Sequence, residues 1–359
     1  MKCSVITIHH IHNFGSVFQA YSLCRFLENN GYDPELVDYR PAYFDRGKNK
    51  IKTLLGKVLN CKAYLTRKKK FNKFIKTYDK LSERTFRTLN ELSCYYKGSN
   101  NIFIAGGDQL WNNYHPCGCD DAYKLTFVNN GRKIAYGTSM GCDNFNDSEL
   151  INIASKVQDF NSIMLREKVT VPMLSKYLEN TAEHVIDPVG LLDVEEFKKI
   201  SKKPKIDKPY AVMYLADSGE VLDKAVEKLS KELGLQIVHI CGFRKKCYCD
   251  RFEKALGPEE ILGYILHADF VLSASFHATM FSIMFEKQFA TLLPGIKTNA
   301  RIEDLLKNFG LGQRILRSTS DLQILNERIK YEEVRTALED FKTQSSKKLL
   351  NTLADLDKR

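Results

Sequence analysis

No stretch of eighteen apolar residues occurs in this sequence, so no segment reads as a membrane-spanning helix. The opening MKCSVITIHH has too short an apolar run for a secretory signal, and no small-residue cleavage site follows it. A cytoplasmic protein is therefore expected. C-x-x-C is also missing. The ten cysteines include two close pairs, Cys117 with Cys119 and Cys247 with Cys249, but both are C-x-C. That spacing signals neither a zinc ribbon nor a redox motif, so reduced thiols in loops are expected and no metal is assigned. The loop after the first apolar run has no G-x-G-x-x-G, so a dinucleotide site is not signalled. Tryptophan occurs once, at Trp111.

Acidic residues are absent from Arg46 to Lys76, where twelve Lys or Arg stand together. Leu54, Leu55, Val58, Leu59, Leu65, Phe71, Phe74 and Ile75 interleave with them, several at helical spacing. Two readings stay open. One is a basic amphipathic helix lying on an anionic inner-membrane surface. The other is the solvated basic face of an ordinary packed helix. No nucleic-acid module accompanies the charge, so nucleic acid is not the expected partner.

What the chain does have is a globular composition, 43% hydrophobic and 27% charged, at a length that favours two domains. Strand, helix and strand follow one another in CSVITI, SVFQAYSLCRFLENNGY and PELVDY, with Ser16 the expected N-cap and Gly31 the helix stop. This is a βαβ unit and implies a parallel sheet. NIFIAGG, KIAYGT, NSIMLRE and EHVIDP continue it as buried strands. The polar, Pro-containing stretch 193–208 reads as a linker. YAVMYLA then restarts the alternation, which runs on through LQIVHIC, DFVLSA and QFATLL. The expected fold is α/β, two Rossmann-like doubly wound domains facing a cleft. The domains are 1–192, with a basic helical insertion at 46–80, and 209–328. A helix at 329–359 would pack back on the first.

Ligands of such sheets bind at the carboxyl ends of the strands, so those loops carry the candidates. Asn13 and Gly15 open the first helix, whose N-terminus suits an anion or sugar hydroxyls. Gly107, Asp108, Gln109 and Trp111 bring an aromatic face beside a carboxylate and an amide, a way to hold a sugar. Arg166 ends a strand and offers a fork for phosphate or carboxylate, with a plain ion pair as the rival. In SASFHATMFSIMF, Ser275 is the expected N-cap of a helix. The backbone N–H groups of Ala278, Thr279 and Met280 would then cradle an anion, with His277 beside them as cation or general acid. Packing of His277 at a helix start is the rival there. His239 and His267 lie in apolar patterns and read as structural.

The ordered set HNFGSVFQAYSLCRFLENNGY, FIAGGDQLWN, IAYGTSMG, LREKVTVPML, VIDPVGLL, GPEEILGYILHADFVLSASFHATMFSIMFEKQFATL and NARIEDLLKNFGL resembles the polysaccharide pyruvyl transferase family over roughly residues 5–315. Many relatives resemble G-S-D-Q where this chain has Gly107, and S-F-H-G-T where it has Ala278. In some the position of Ser275 is basic. The resemblance implies a glycosyltransferase-B-like fold. It also implies transfer of the enolpyruvyl group of phosphoenolpyruvate onto a sugar, forming a pyruvate ketal with loss of phosphate. Carried over by position, Arg166 and His277 would hold or act on the donor. The acceptor would be a sugar of a capsule, exopolysaccharide or cell-wall precursor, often lipid-linked. That chemistry asks for two anion sites, an acid and a base. Arg166, the helix start at Ser275 to Thr279, and Arg301 serve the donor; His277 is the acid and Asp108 the base. No cofactor is needed. The rivals are a nucleotide-sugar-dependent glycosyltransferase of the same fold and a non-catalytic sugar-binding scaffold.

Overall fold

The computed structural model describes residues 1–44, 60–129, 131–214, 219–240, 245, 247–295 and 299–358. They form two compact units. One comprises Met1–Lys48, Ile75–Leu192 and Glu339–Arg359; the other comprises Asn49–Phe74 and Asp193–Leu338.

The first unit holds a six-stranded parallel sheet in the order β2-β1-β3-β4-β5-β6. Its strands are β1 (Lys2–Ile6), β2 (Asp33–Leu36), β3 (Ile102–Gly106), β4 (Lys133–Thr138), β5 (Ser162–Leu165) and β6 (Glu183–His184). Strands of parallel sheets are covered on both faces and so read as unbroken apolar runs. β3 and β4 are accordingly buried at every residue. Gly137, at φ 60°, sits where the β4–β5 register shifts between Tyr136 and Thr138. The helix Phe14–Asn29 returns the chain from β1 to β2 and ends on Gly31, at φ 83°. Its N-cap is Asn13, not Ser16. The Asn13 side chain accepts from the N–H groups of Gly15 and Ser16, and this starts the helix three residues earlier.

The second unit holds β7 (Tyr210–Tyr214), β8 (Gln236–Ile240), β9 (Arg251–Glu253), β10 (Phe270–Ser273), β11 (Gln288–Leu292) and β12 (Ile315–Leu316). Their order is β12-β11-β10-β7-β8-β9. Read from the β9 edge, this is the 3-2-1-4-5-6 order of dinucleotide-binding folds, while the first sheet begins in the 2-1-3-4-5 order of flavodoxin-like folds. The short edge strands β9 and β12 carry too few residues to stand out in the sequence.

Three domain boundaries differ from the sequence reading. The stretch 193–208 is not all linker, because Val194–Ile200 is a helix of the second unit. Phe197 anchors it, fully buried and edge-on to Phe281 at 5.0 Å. Acids in its first turn and lysines in its last complement the helix dipole. The basic segment is also shared between units. The helix Cys61–Tyr78 belongs to the second unit as far as Phe74, where Lys70 Nζ meets both carboxylate oxygens of Glu260 at 2.7 Å. Lastly, the helix Tyr331–Asp357 begins in the second unit, and only from Glu339 does it belong to the first. There Ser345 Oγ accepts from the Ile186 N–H at 2.9 Å, and Phe341 packs on His184.

Leu54, Leu55, Val58 and Leu59 lie outside the described residues. Of the remaining apolar residues in the basic segment, Phe71, Phe74 and Ile75 are buried and Leu65 is exposed. The apolar side of this helix is thus largely spent on the protein's own core, and its outward face is cationic. Among the described residues, no helix is long and apolar enough to cross a membrane.

Candidate active site

In both sheets the strand order reverses beside the first strand: β2 and β3 flank β1, and β8 and β10 flank β7. At such a reversal the connecting helices depart to opposite faces and leave a crevice outside the carboxyl ends of the strands. Most of the candidate residues stand at these two places.

In the first unit, β1 leads into Asn13–Ser16 and β3 into Gly107–Asp108. Ser16 Oγ donates to Asp108 Oδ2 at 2.5 Å, and the Gln109 N–H donates to Oδ1 at 2.8 Å. The carboxylate is thereby fixed between the two loops, with the residue 9% exposed. Gly107 has φ 90°. The space beside it is filled by Gln19, whose Nε2 donates to Thr7 Oγ1 at 2.7 Å and to Ser16 O at 3.0 Å. The close approach that glycine permits here is made by the protein's own amide. Gln109 Oε1 accepts from Asn112 Nδ2 at 2.7 Å.

Trp111 is not an acceptor platform. It is fully buried, its Nε1 donates to Tyr123 O at 2.9 Å, and its ring meets Phe160 edge-on. A lone tryptophan beside polar residues looked like a sugar shelf, but packing claimed it.

Arg166 also departs from expectation. Its Nη1 donates to Asp187 Oδ2 at 2.7 Å and its Nε to Glu167 Oε1 at 3.1 Å, with all three side chains almost wholly buried. Burial works against the guanidinium charge, but Glu167 and Asp187 outweigh it and hold the group protonated. The protein itself supplies two carboxylates where the phosphate or carboxylate of a donor was expected. Glu167 extends the network, accepting from Ser139 Oγ at 2.6 Å and from the Met140 N–H at 3.1 Å. These contacts tie the loops after β4 and β5 together. Glu167, Ser139 and Asp187 were not legible as a group, because nothing in their spacing foretells the loops they bridge.

A further cluster that escaped the sequence reading centres on Asp38, past the end of β2. Its carboxylate accepts from His9 Nε2 at 3.0 Å, Arg40 Nε at 2.6 Å and Thr85 Oγ1 at 2.5 Å. Burial opposes its charge, yet these donors hold it well below the usual carboxylate range. His9, fully buried, places Nδ1 3.1 Å from Thr7 O. So of the three histidines in the first loop, His9 is a packing element of that loop.

In the second unit, Ser273 Oγ at the end of β10 donates to Tyr214 O at 3.0 Å and accepts from the Ser275 N–H at 2.9 Å. This closes the turn into the helix Phe276–Met284, with Ser275 as its N-cap. The cap uses the groups that the expected cradle needed. The Ala278 N–H donates to Ser275 Oγ at 3.5 Å and the Thr279 N–H to Ser275 O at 3.0 Å. Ala278 and Thr279 are buried, and Thr279 Oγ1 pairs with Thr291 Oγ1. His277 is in the first turn, 6% exposed, edge-on to Phe276 at 5.1 Å. Arg301 lies in the first turn of the helix Asn299–Asn308, which packs against that of His277. Arg166 and Asp108 belong to one unit, and His277 and Arg301 to the other.

The family model described as polysaccharide pyruvyl transferase matches residues 13–294. The chain belongs to this family. The match begins at the helix cap Asn13 and takes in the loops after β3 and β5 and the turn after β10. No curated protein matches the chain in sequence. Solved structures match in fold. The UDP-GlcNAc 2-epimerase of Methanocaldococcus jannaschii is 11% identical, with 99% of each chain covered and a TM-score of 0.59. A putative UDP-N-acetylglucosamine 2-epimerase of Listeria monocytogenes is 10% identical over 98% of this chain and 95% of its own, TM-score 0.57. The S. aureus MnaA–UDP structure is 12% identical over 98% and 95%, TM-score 0.55. At these identities the likeness is one of fold. This pyruvyl transferase family member thus has the two-domain α/β fold of the glycosyltransferase B type, and its family makes it a transferase of polysaccharide biosynthesis.

Proposed function

We propose that the protein moves the enolpyruvyl group of phosphoenolpyruvate onto a sugar of a surface-polysaccharide or cell-wall precursor, forming a pyruvate ketal and releasing phosphate. The observation that carries this reading is that, in a chain of this family, each strand-order reversal carries one candidate of an acid–base pair, Asp108 at that of the first sheet and His277 at that of the second.

In the overall reaction two sugar hydroxyl oxygens form bonds to the central carbon of the enolpyruvyl group, and its bond to the phosphate oxygen breaks. The methylene carbon gains one proton to become methyl, and the second hydroxyl proton leaves with phosphate. Asp108, oriented by Ser16 and Gln109, takes a hydroxyl proton. His277 delivers a proton to the methylene carbon; a placed acid of this kind gives about 10²–10⁴ in rate. The positive end of the helix dipole at Ser275–His277, together with Arg301, meets the donor's phosphate. Arg166 acts on this site indirectly, by fixing Glu167 and Asp187 behind the strand ends. Asn13, Gly15 and Gln109 remain the acceptor-side contacts. The outward lysines of the helix Cys61–Tyr78 would bring the protein to the inner face of the membrane, where lipid-linked acceptors reside.

The test is mass spectrometry of a sugar-lipid panel incubated with phosphoenolpyruvate. The expected product carries an added pyruvate ketal, with one phosphate released per ketal. Glycosylated product from a UDP-sugar, with none from phosphoenolpyruvate, would overturn the reading.

A further inference from the structure

One of the cavities away from the strand-order reversals is lined chiefly by cations. It lies along β9, the outer strand of the second sheet, and has a volume of about 400 Å³. Lys70, Lys202, Lys203, Lys205 and Arg251 line it, against the carboxylates of Glu253 and Glu260. The five cations come from three separate stretches of chain: the helix Cys61–Tyr78, the segment leading to β7, and β9 itself. Their meeting is therefore a product of folding and not of a local run of lysines.

Both carboxylates already have structural work. Glu260 accepts from the Gly257 N–H at 2.7 Å, capping the helix Pro258–Leu266, and also grips Lys70. Glu253 pairs with Arg251, and Tyr264 donates to it at 3.3 Å. Arg251 Nη1 donates to Lys205 O at 3.0 Å, holding the lysine-bearing segment against the strand. Lys202 pairs with Glu259 at 3.0 Å. Lys203 and Lys205 make no ion pair among the described residues, and both are exposed. The walls are thus held by paired charges, while two unneutralised ammonium groups stand at a concave opening. Gathering like charges costs free energy unless an anion joins them.

We propose that this cavity binds a phosphate group, on a lipid headgroup or free in solution. Lysines act as mobile point charges and suit a rotating phosphate better than a planar carboxylate. The proposal does not rest on the donor chemistry given above, since its residues are remote in the sheet from β10 and its assay needs no turnover.

The test uses the full chain. Inorganic pyrophosphate is titrated calorimetrically at low salt. In parallel, the protein is floated with phosphatidylcholine vesicles containing one part in four of phosphatidic acid, or of oleate at equal charge. The variant is Lys203→Ser with Lys205→Ser, both exposed, so the fold is preserved. The control is Lys68→Ser with Lys69→Ser, an equal loss of charge on the exposed helix face outside the cavity. The expected result is pyrophosphate binding that weakens about tenfold or more in the cavity variant and less than about twofold in the control. Retention on phosphatidic acid but not oleate vesicles, lost with the cavity lysines, identifies a lipid headgroup as the source. Pyrophosphate binding without vesicle retention identifies free phosphate. No binding to either probe would overturn the proposal, as would equal weakening by the control pair, the signature of diffuse charge.

Discussion

Gln19 Oε1 lies 1.4 Å from where a Cβ on residue 107 would stand. The glycine and the glutamine are thus one device. The first helix sends an amide across to the loop after β3, and the loop has no side chain there to refuse it. Gln19 also bonds Thr7 Oγ1 and Ser16 O, so the same residue fixes the loop after β1. Asp108 and Ser16, which hydrogen-bond to each other, are therefore held from both sides.

Substituting Gly107→Ala is expected to destabilise the protein for two separable reasons. The backbone at φ 90° resists any Cβ, at roughly 1–2 kcal/mol. Displacement of Gln19 adds to that. In the background of Gln19→Ala the steric part disappears and the backbone part stays. Urea denaturation of the two single variants and the double would show a coupling between the sites; strictly additive losses would contradict the device.

His277→Gln preserves volume and polarity at a buried site, so its thermal midpoint should stay near wild type. Ketal formation should fall by about 10²–10⁴, as expected for loss of a general acid. A fully active glutamine variant would leave His277 as a packing residue only.

Arg166→Ala is expected to cost folding stability on the order of 3–5 kcal/mol, because it strands the carboxylates of Glu167 and Asp187 in the interior. A donor-binding arginine on an open surface would behave differently, losing affinity for phosphoenolpyruvate with little change in unfolding. Chemical denaturation alongside a donor titration separates the two roles.

Acid should weaken the fold through two half-buried histidines. His10 is pushed down to about 3 and His184 to about 4, each chiefly by burial. Their neutral forms are the folded ones. Stability from these groups is fully present above the unfolded histidine value, near 6.5, and is lost as pH falls through 4 and 3. Asp79 works in the opposite sense. Burial raises it to about 8, so the fold is most stable with respect to this group below about pH 4 and loses stability as pH rises toward 8. Asp79→Asn should therefore stabilise the protein at pH 8 and leave it unchanged at pH 4. Thermal midpoints across pH 4–8 for wild type, Asp79→Asn and His184→Phe would reveal each slope.

The fold was legible where a signal is local. β3, β4, β8 and β10 are apolar runs bounded by turn residues, and the helix stop at Gly31 and the cap at Ser275 follow from backbone chemistry that a few neighbours decide. Pro258 in a first turn is of the same kind. The misreadings share a different cause. Trp111, Arg166 and the helix Val194–Ile200 look polar or accessible along the chain, and each is claimed by partners distant in sequence: Tyr123 and Phe160, Asp187, and Phe281.

By itself the sequence determined two doubly wound parallel sheets, the places where their strands end, and membership of a family of sugar-modifying transferases. Those follow from periodicity, turn chemistry and ordered motifs, all written along the chain. Tertiary structure alone decided what stands at those ends and what lies behind them. Which carboxylate meets Arg166, which amide fills the space at Gly107, and which five cations surround the β9 cavity all depend on contacts between remote segments. Such contacts are fixed by how the sheets and helices pack, and no local pattern encodes them.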